Sequence, residues 1–205
     1  MSGLRTLLRE HTAADHTLLE ATELMRAFAA GSTIAGHYRE YLRRQWRLHA
    51  ALEPALADWF SADWVALRLV KTQWLSSDLQ ALEANAQLQP ETQVPAASSH
   101  GAAFGILYVL EGATLGLYSL RRRLQQEHAA WSSAQRFIEG YGAQTAHHWH
   151  GFVAQLDTLS EPDWPQALSA ASATFGAFQR VFAEPASSEA ELWNDAQRSI
   201  YAHVI

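Results

Sequence analysis

The sequence predicts an all-α fold built around a single principal domain. Runs of Ala, Leu, Gln, Glu and Arg, all favourable in helices, fill the long stretches between only six prolines. Apolar residues recur three and four positions apart along most of those stretches, the period of a helix with one buried face. At 205 residues and 48% hydrophobic side chains, the chain is long and apolar enough to bury one full core.

Each element follows from a local signal. Leu4, Leu7, Leu8, Leu18 and Met25 share helical spacing, and Gly31-Ser32-Thr33 offers a stop followed by a new N-cap, so a first helix is predicted over about residues 3 to 29. Tyr38, Tyr41, Leu42, Gln45, Leu48 and Leu52 define a second helix that ends at Pro54 or slightly beyond it. Ser61 and Ser77 read as caps of two shorter helices. Residues 87–99, with Pro90 and Pro95, form a loop, and Ser98 or Ser99 caps a long helix over about 99 to 128. Gly140 and Gly142 interrupt the chain before a helix over about 143 to 159. Pro162 and Pro165 then precede a helix over about 165 to 183. The domain is therefore set at residues 1–185, with 186–205 a last helix or a loose tail.

Composition narrows the function. A net charge of −6 argues against a broad nucleic-acid or anionic-membrane surface, so any anionic ligand has to be met by local cations. With no cysteine, the chain has no disulfide, thiolate ligand, iron–sulfur cluster or cysteine nucleophile. The amphipathic N-terminus lacks the apolar run of a secretory signal, which points to the cytoplasm. One apolar stretch, Gly101 to Leu120, has the length of a membrane span. Glu111 at its centre would cost about 3 kcal/mol in lipid, which favours a buried helix instead. No Glu-x-x-His pair occurs, which removes a bundle di-iron site. His147, His148 and His150 stand at i, i+1 and i+3, where helical side chains do not converge on one ion.

The long apolar helix contains Gly105, Gly112 and Gly116, each costing about 1 kcal/mol relative to alanine, so something offsets that cost. Gly112 and Gly116 share a face. Their spacing fits either close packing of a neighbouring helix or close approach of a flat ligand.

The surrounding run Leu107-Tyr-Val-Leu-Glu-Gly-Ala-Thr-Leu-Gly116 resembles the distal-helix signature of bacterial haem (heme) oxygenases, particularly the branch associated with bacterial phytochromes. The resemblance implies a single-domain fold gripping haem between proximal and distal helices, with Gly112 and Gly116 as the distal glycines over the ring. Residues 9–20, Arg9-Glu-His-Thr-Ala-Ala-Asp-His-Thr-Leu-Leu-Glu20, resemble the proximal helix, whose iron ligand lies four residues after a threonine and four before an acidic residue. Periodicity by itself places His11 near the middle of the apolar stripe and His16 at its edge. The resemblance selects His16 as the proximal iron ligand and leaves His11 as a partly buried helix residue. Arg9, two turns before His16, matches a basic position used for a haem propionate. Arg5 lies one turn further out, and Arg180 falls in a segment resembling the family's C-terminal haem-edge helix. Tyr108 is a further candidate for the propionate or distal network, against the alternative of a plain core aromatic.

The activity implied is oxidative cleavage of haem, at once substrate and cofactor, to biliverdin, carbon monoxide and iron. It consumes O2 and electrons from a reductase or ferredoxin-type donor, and a bacterial phytochrome is the implied bilin acceptor. The alternative is a haem carrier or sensor of the same fold. The sequence departs from the mammalian-type motif at Ala113, where an aspartate follows the first distal glycine, and at Leu117, where that motif has a further glycine.

Overall fold

A computed structural model describes residues 3–29, 35–82, 88–127 and 133–185. Among these residues the regular structure is helical, without strands: α1 (Leu4–His11), α2 (Ala13–Glu20), α3 (Glu23–Ala29), α4 (Ala35–Leu56), α5 (Ala62–Arg68), α6 (Lys71–Ala81), α7 (His100–Glu127), α8 (Arg136–Glu139), α9 (Thr145–Leu156) and α10 (Trp164–Ala183). The tail 186–205 and the Gly31-Ser32-Thr33 signal lie outside the described residues.

The predicted first helix is three helices. Thr12 turns its hydroxyl back onto the Leu8 carbonyl at 2.8 Å, and Thr22 does the same to Leu19 at 2.8 Å. Such bonds compete with the helical ladder, and the axis is interrupted at Thr12 and again after Glu20. A single wheel therefore does not hold across the segment. Leu4 and Leu8 are buried, whereas Leu18, placed on the same stripe by sequence, is 60% exposed.

α4 runs through Pro54 to Leu56, because a proline in the last turn forfeits one hydrogen bond before the chain tightens into a 3-10 turn at Ala57–Trp59. Ser61 caps α5 as predicted, accepting from Trp64 N. Ser77 caps nothing; it lies inside α6, which begins six residues earlier at Lys71. The cap of α6 comes from another helix. The Glu53 carboxylate on α4 accepts from the amides of Lys71 at 2.8 Å and Thr72 at 3.2 Å. Asp78 likewise accepts from the amides of Arg136 and Phe137 at the start of α8, a short helix the sequence pattern did not reveal. Ser99 caps α7 through Ala102 N. Gly140 and Gly142 both adopt positive φ, 54° and 58°, as a chain break built on glycine requires.

The centre of the fold is α7 laid along α10, with α1, α2 and α3 against α10, α9 against α7, and α4 packed on α6. Small residues make the central pair close: Ala102 and Ala103 on α7 and Ala167, Ala170, Ala171 and Ala177 on α10 are all buried. The span His100–Tyr118 is apolar and long enough to cross a membrane, but 67% of it is buried inside this packing.

Candidate functional site

The glycines of α7 serve two distinct purposes. A Cβ on Gly101 would overlap the Asp163 carbonyl oxygen, and one on Gly105 would overlap that of Ala167, so both permit the close crossing of α10. Gly112 and Gly116 have no such neighbour. A Cβ on Gly112 would make ordinary contact with the Trp149 ring at 3.9 Å, and one on Gly116 would meet nothing within 4 Å among the described residues. Among the described residues, no helix crosses close enough to either to require a glycine.

The N-terminal segment and α9 bring polar groups to the edge of this region. Tyr108, one turn before Gly112, is half-buried, with Thr12 close to its hydroxyl. Burial raises its phenol above the ordinary tyrosine range, while Thr12 and the charges of Arg5 and Arg9 pull it back. The Arg5 guanidinium lies 6.0 Å from the centre of the Trp149 ring, and Trp149 lies 6.0 Å from the Tyr108 ring. Arg5, Arg9, Thr12 and Tyr108 thus converge at one end of the exposed glycine face. Leu4 and Leu8 pin α1 into the core while Arg5 and Arg9, one turn apart, remain exposed.

His16 is exposed, its side chain 60% accessible, with Nδ1 3.5 Å from Glu20 Oε2 and its ring edge-on to Phe175 of α10 at 5.8 Å. Gln179 of α10 fixes the same turn by donating to the Asp15 carbonyl at 2.7 Å. A carboxylate on Nδ1 and an aromatic wall orient the imidazole and leave Nε2 for a ligand-binding role. His11 is exposed as well, not partly buried, because the break at Thr12 removes the stripe that periodicity assigned to it. Ala113 is half-buried beside Gly112, a position from which no carboxylate can act on water. Arg180 is engaged elsewhere: it donates to the Gln93 carbonyl at 2.6 Å, in the loop before α7.

Behind the glycine face lies a buried ionic cluster that the motif reading did not assemble. Glu111 is 2% exposed, and its carboxylate accepts from Lys71 Nζ at 2.5 Å, Arg68 Nη1 at 2.8 Å and the Tyr141 hydroxyl at 2.8 Å. Lys71 Nζ also donates to Tyr141 Oη and to the Arg68 carbonyl, and Arg68 Nη2 donates to the His148 carbonyl. Burial and the adjacent Glu111 charge push the Tyr141 phenol far up, so it acts as a hydrogen-bond donor and not as an acid. Burial would also raise Glu53, but His49, Thr72 and Lys71 outweigh it and hold that carboxyl below its ordinary value. The sequence carried one signal for this cluster: a lone glutamate in an apolar helix requires buried cations. Among the described residues no group of three or more His, Asp or Glu is arranged to hold a metal ion.

A family model described as heme oxygenase matches residues 2–184 of the chain. The heme oxygenase of Xanthomonas campestris pv. campestris is 31% identical over 169 residues, covering 80% of this chain and 99% of that protein. Two solved structures share the fold. Heme oxygenase from Leptospira interrogans aligns with a TM-score of 0.70 at 18% identity, over 90% of this chain and all of that one. Heme oxygenase-1 from Synechocystis sp. PCC6803, solved in complex with heme, aligns with a TM-score of 0.71 at 16% identity over the whole of both chains.

Proposed function

The chain belongs to the haem (heme) oxygenase family, and from that premise we propose that it opens haem to biliverdin, carbon monoxide and free iron. The reaction draws O2 and electrons from an external reductase or ferredoxin-type donor. Haem supplies the iron that binds and reduces O2; the protein supplies placement.

One observation carries this reading: among the described residues, no backbone stands where a side chain at Gly112 or Gly116 would project. A flat macrocycle is the kind of ligand that a side-chain-free helical face admits closely. His16 is the iron ligand, with Glu20 on its other nitrogen and Phe175 at its edge. Arg5 and Arg9 meet the propionates, and the Tyr108 hydroxyl, already beside both cations, joins them. Arg180, bonded to the 88–99 loop, is at most a peripheral contributor. With Ala113 in place of a carboxylate, backbone groups at Gly112 and Ala113 would be the polar groups of this face available to order water and exclude bulk solvent. The enzyme works in the cytoplasm, and the resemblance of residues 107–116 to the phytochrome-associated branch supports a bacterial phytochrome as bilin acceptor.

Addition of haem, a reductant and O2 tests the reaction. The Soret band is expected to give way to bilin absorbance with release of carbon monoxide. A haem spectrum that persists through many reducing equivalents would overturn the reading in favour of a carrier or sensor.

A further inference from the structure

We propose that the buried cluster of Glu111, Arg68, Lys71 and Tyr141 is a positioning device that fixes the backbone of α7 at Gly112 and Ala113. It thereby does the organising work that a carboxylate at position 113 would otherwise share. The inference rests on the proposed haem reaction for its purpose, but its physical content concerns the ligand-free chain.

The second half of α7 is the weakest part of the helix by sequence. Gly112 and Gly116 lack side chains with which to pack, and Thr114 turns its hydroxyl onto the Leu110 carbonyl at 2.9 Å, a bond that loosens the ladder. The residue immediately before Gly112 is nevertheless the most heavily restrained on the helix. Three donors from three other regions, Arg68 of α5, Lys71 of α6 and Tyr141 of the turn after α8, converge on the Glu111 carboxylate. Arg68 ties the cluster to α9 through the His148 carbonyl, and Glu53 ties it to α4 through the Lys71 amide. Five helices therefore meet at a point one residue from the exposed glycine.

The cluster balances two cations against two carboxylates, Glu111 and Glu53. Buried ion clusters of this kind add little net stability over apolar packing, and their best attested use is to fix one arrangement among several. Successive helical residues point about 100° apart, so Glu111 holds the helix from the side while the Gly112 face remains clear.

The test compares the intact chain with Glu111→Gln, Tyr141→Phe and the triple variant Arg68→Met/Lys71→Met/Glu111→Leu. Amide hydrogen exchange on haem-free protein is read residue by residue along α7. Glu111→Gln is expected to speed exchange at residues 112 to 117 about tenfold relative to residues 101 to 107, the scale of one lost charge-assisted hydrogen bond. Tyr141→Phe, which keeps both ion pairs and folds even if Glu111→Gln does not, is expected to do so to a smaller extent. The triple variant is expected to recover thermal stability while leaving that exchange fast and shifting the acid–alkaline transition of the ferric haem complex. Uniform exchange changes along α7, or full protection in the triple variant, would overturn the inference and leave the cluster as ordinary core. Failure of the unmodified chain to bind haem would instead overturn the functional reading and leave the exchange result standing.

Discussion

In the first half of α7, Gly101 and Gly105 lie where a side chain would strike the backbone at the start of α10 and just before it; in the second half, Gly112 and Gly116 lie where one would meet, among the described residues, a ring edge or nothing. The same residue type, at similar spacing, is thus explained by tertiary packing in one half and left unexplained by it in the other. The difference teaches how to separate structural from functional glycine. Gly101 and Gly105 have a main-chain oxygen well inside contact distance of a missing Cβ, whereas among the described residues Gly112 and Gly116 have nothing so close. The cations Arg5 and Arg9 and His16 lie exposed on the short helices α1 and α2, which pack against α10.

Gly105→Ala should give the largest effect, because its Cβ meets a main-chain carbonyl on α10 that cannot rotate away. A loss of about 3 kcal/mol in unfolding free energy, read by urea denaturation, is expected. Gly116→Ala should gain up to about 1 kcal/mol in the ligand-free protein while weakening haem binding, the opposite sign for the same substitution in the same helix. Equal destabilisation by both changes would dissolve the contrast.

His16→Ala should leave stability within about 0.5 kcal/mol, as expected for an exposed residue, yet abolish the histidine-ligated haem spectrum. His11→Ala should leave that spectrum intact; a reversed result would move the ligand to His11. Arg9→Ala should weaken haem binding about threefold and Arg5→Ala comparably, both measured by titration and both diminishing at high salt, because these cations are solvent-exposed.

The smallest effect concerns pH. Glu53 has a folded pKa below its ordinary value, so its contribution is fully present above the unfolded value of about 4.3 and is lost as pH falls through the lower folded value. Glu53→Gln should therefore flatten the acid limb of the stability profile while leaving haem titration at neutral pH unchanged.

Much of this was legible in the sequence. The all-α class, the loop before α7, the Ser99 cap, the α7 and α10 bounds and the glycine break at 140 and 142 rest on interactions spanning a few residues. Other features were not legible because their partners lie far away in the chain. Glu53 caps α6 from α4, where local reading chose Ser77, and the two threonine bonds that divide the first helix move Leu18 and His11 into solvent. At the proposed site, the motif pointed to Gly112, Gly116 and His16, while the contacts of His16 with Glu20 and Phe175 became visible only once the chain was folded.

The sequence by itself determined that the chain is helical, free of thiol chemistry, and marked by glycines too costly for an idle helix, since composition, turn residues and helix propensity act within a turn or two. Only the tertiary structure decided which glycines are spent on packing α10 and which are left open. It also decided that the charges of Arg5 and Arg9 come near Tyr108 and that Glu111 is held by Arg68, Lys71 and Tyr141. The physical reason is range: a missing Cβ has meaning only relative to what stands opposite it, and a buried charge only relative to the counter-charges that folding brings to it.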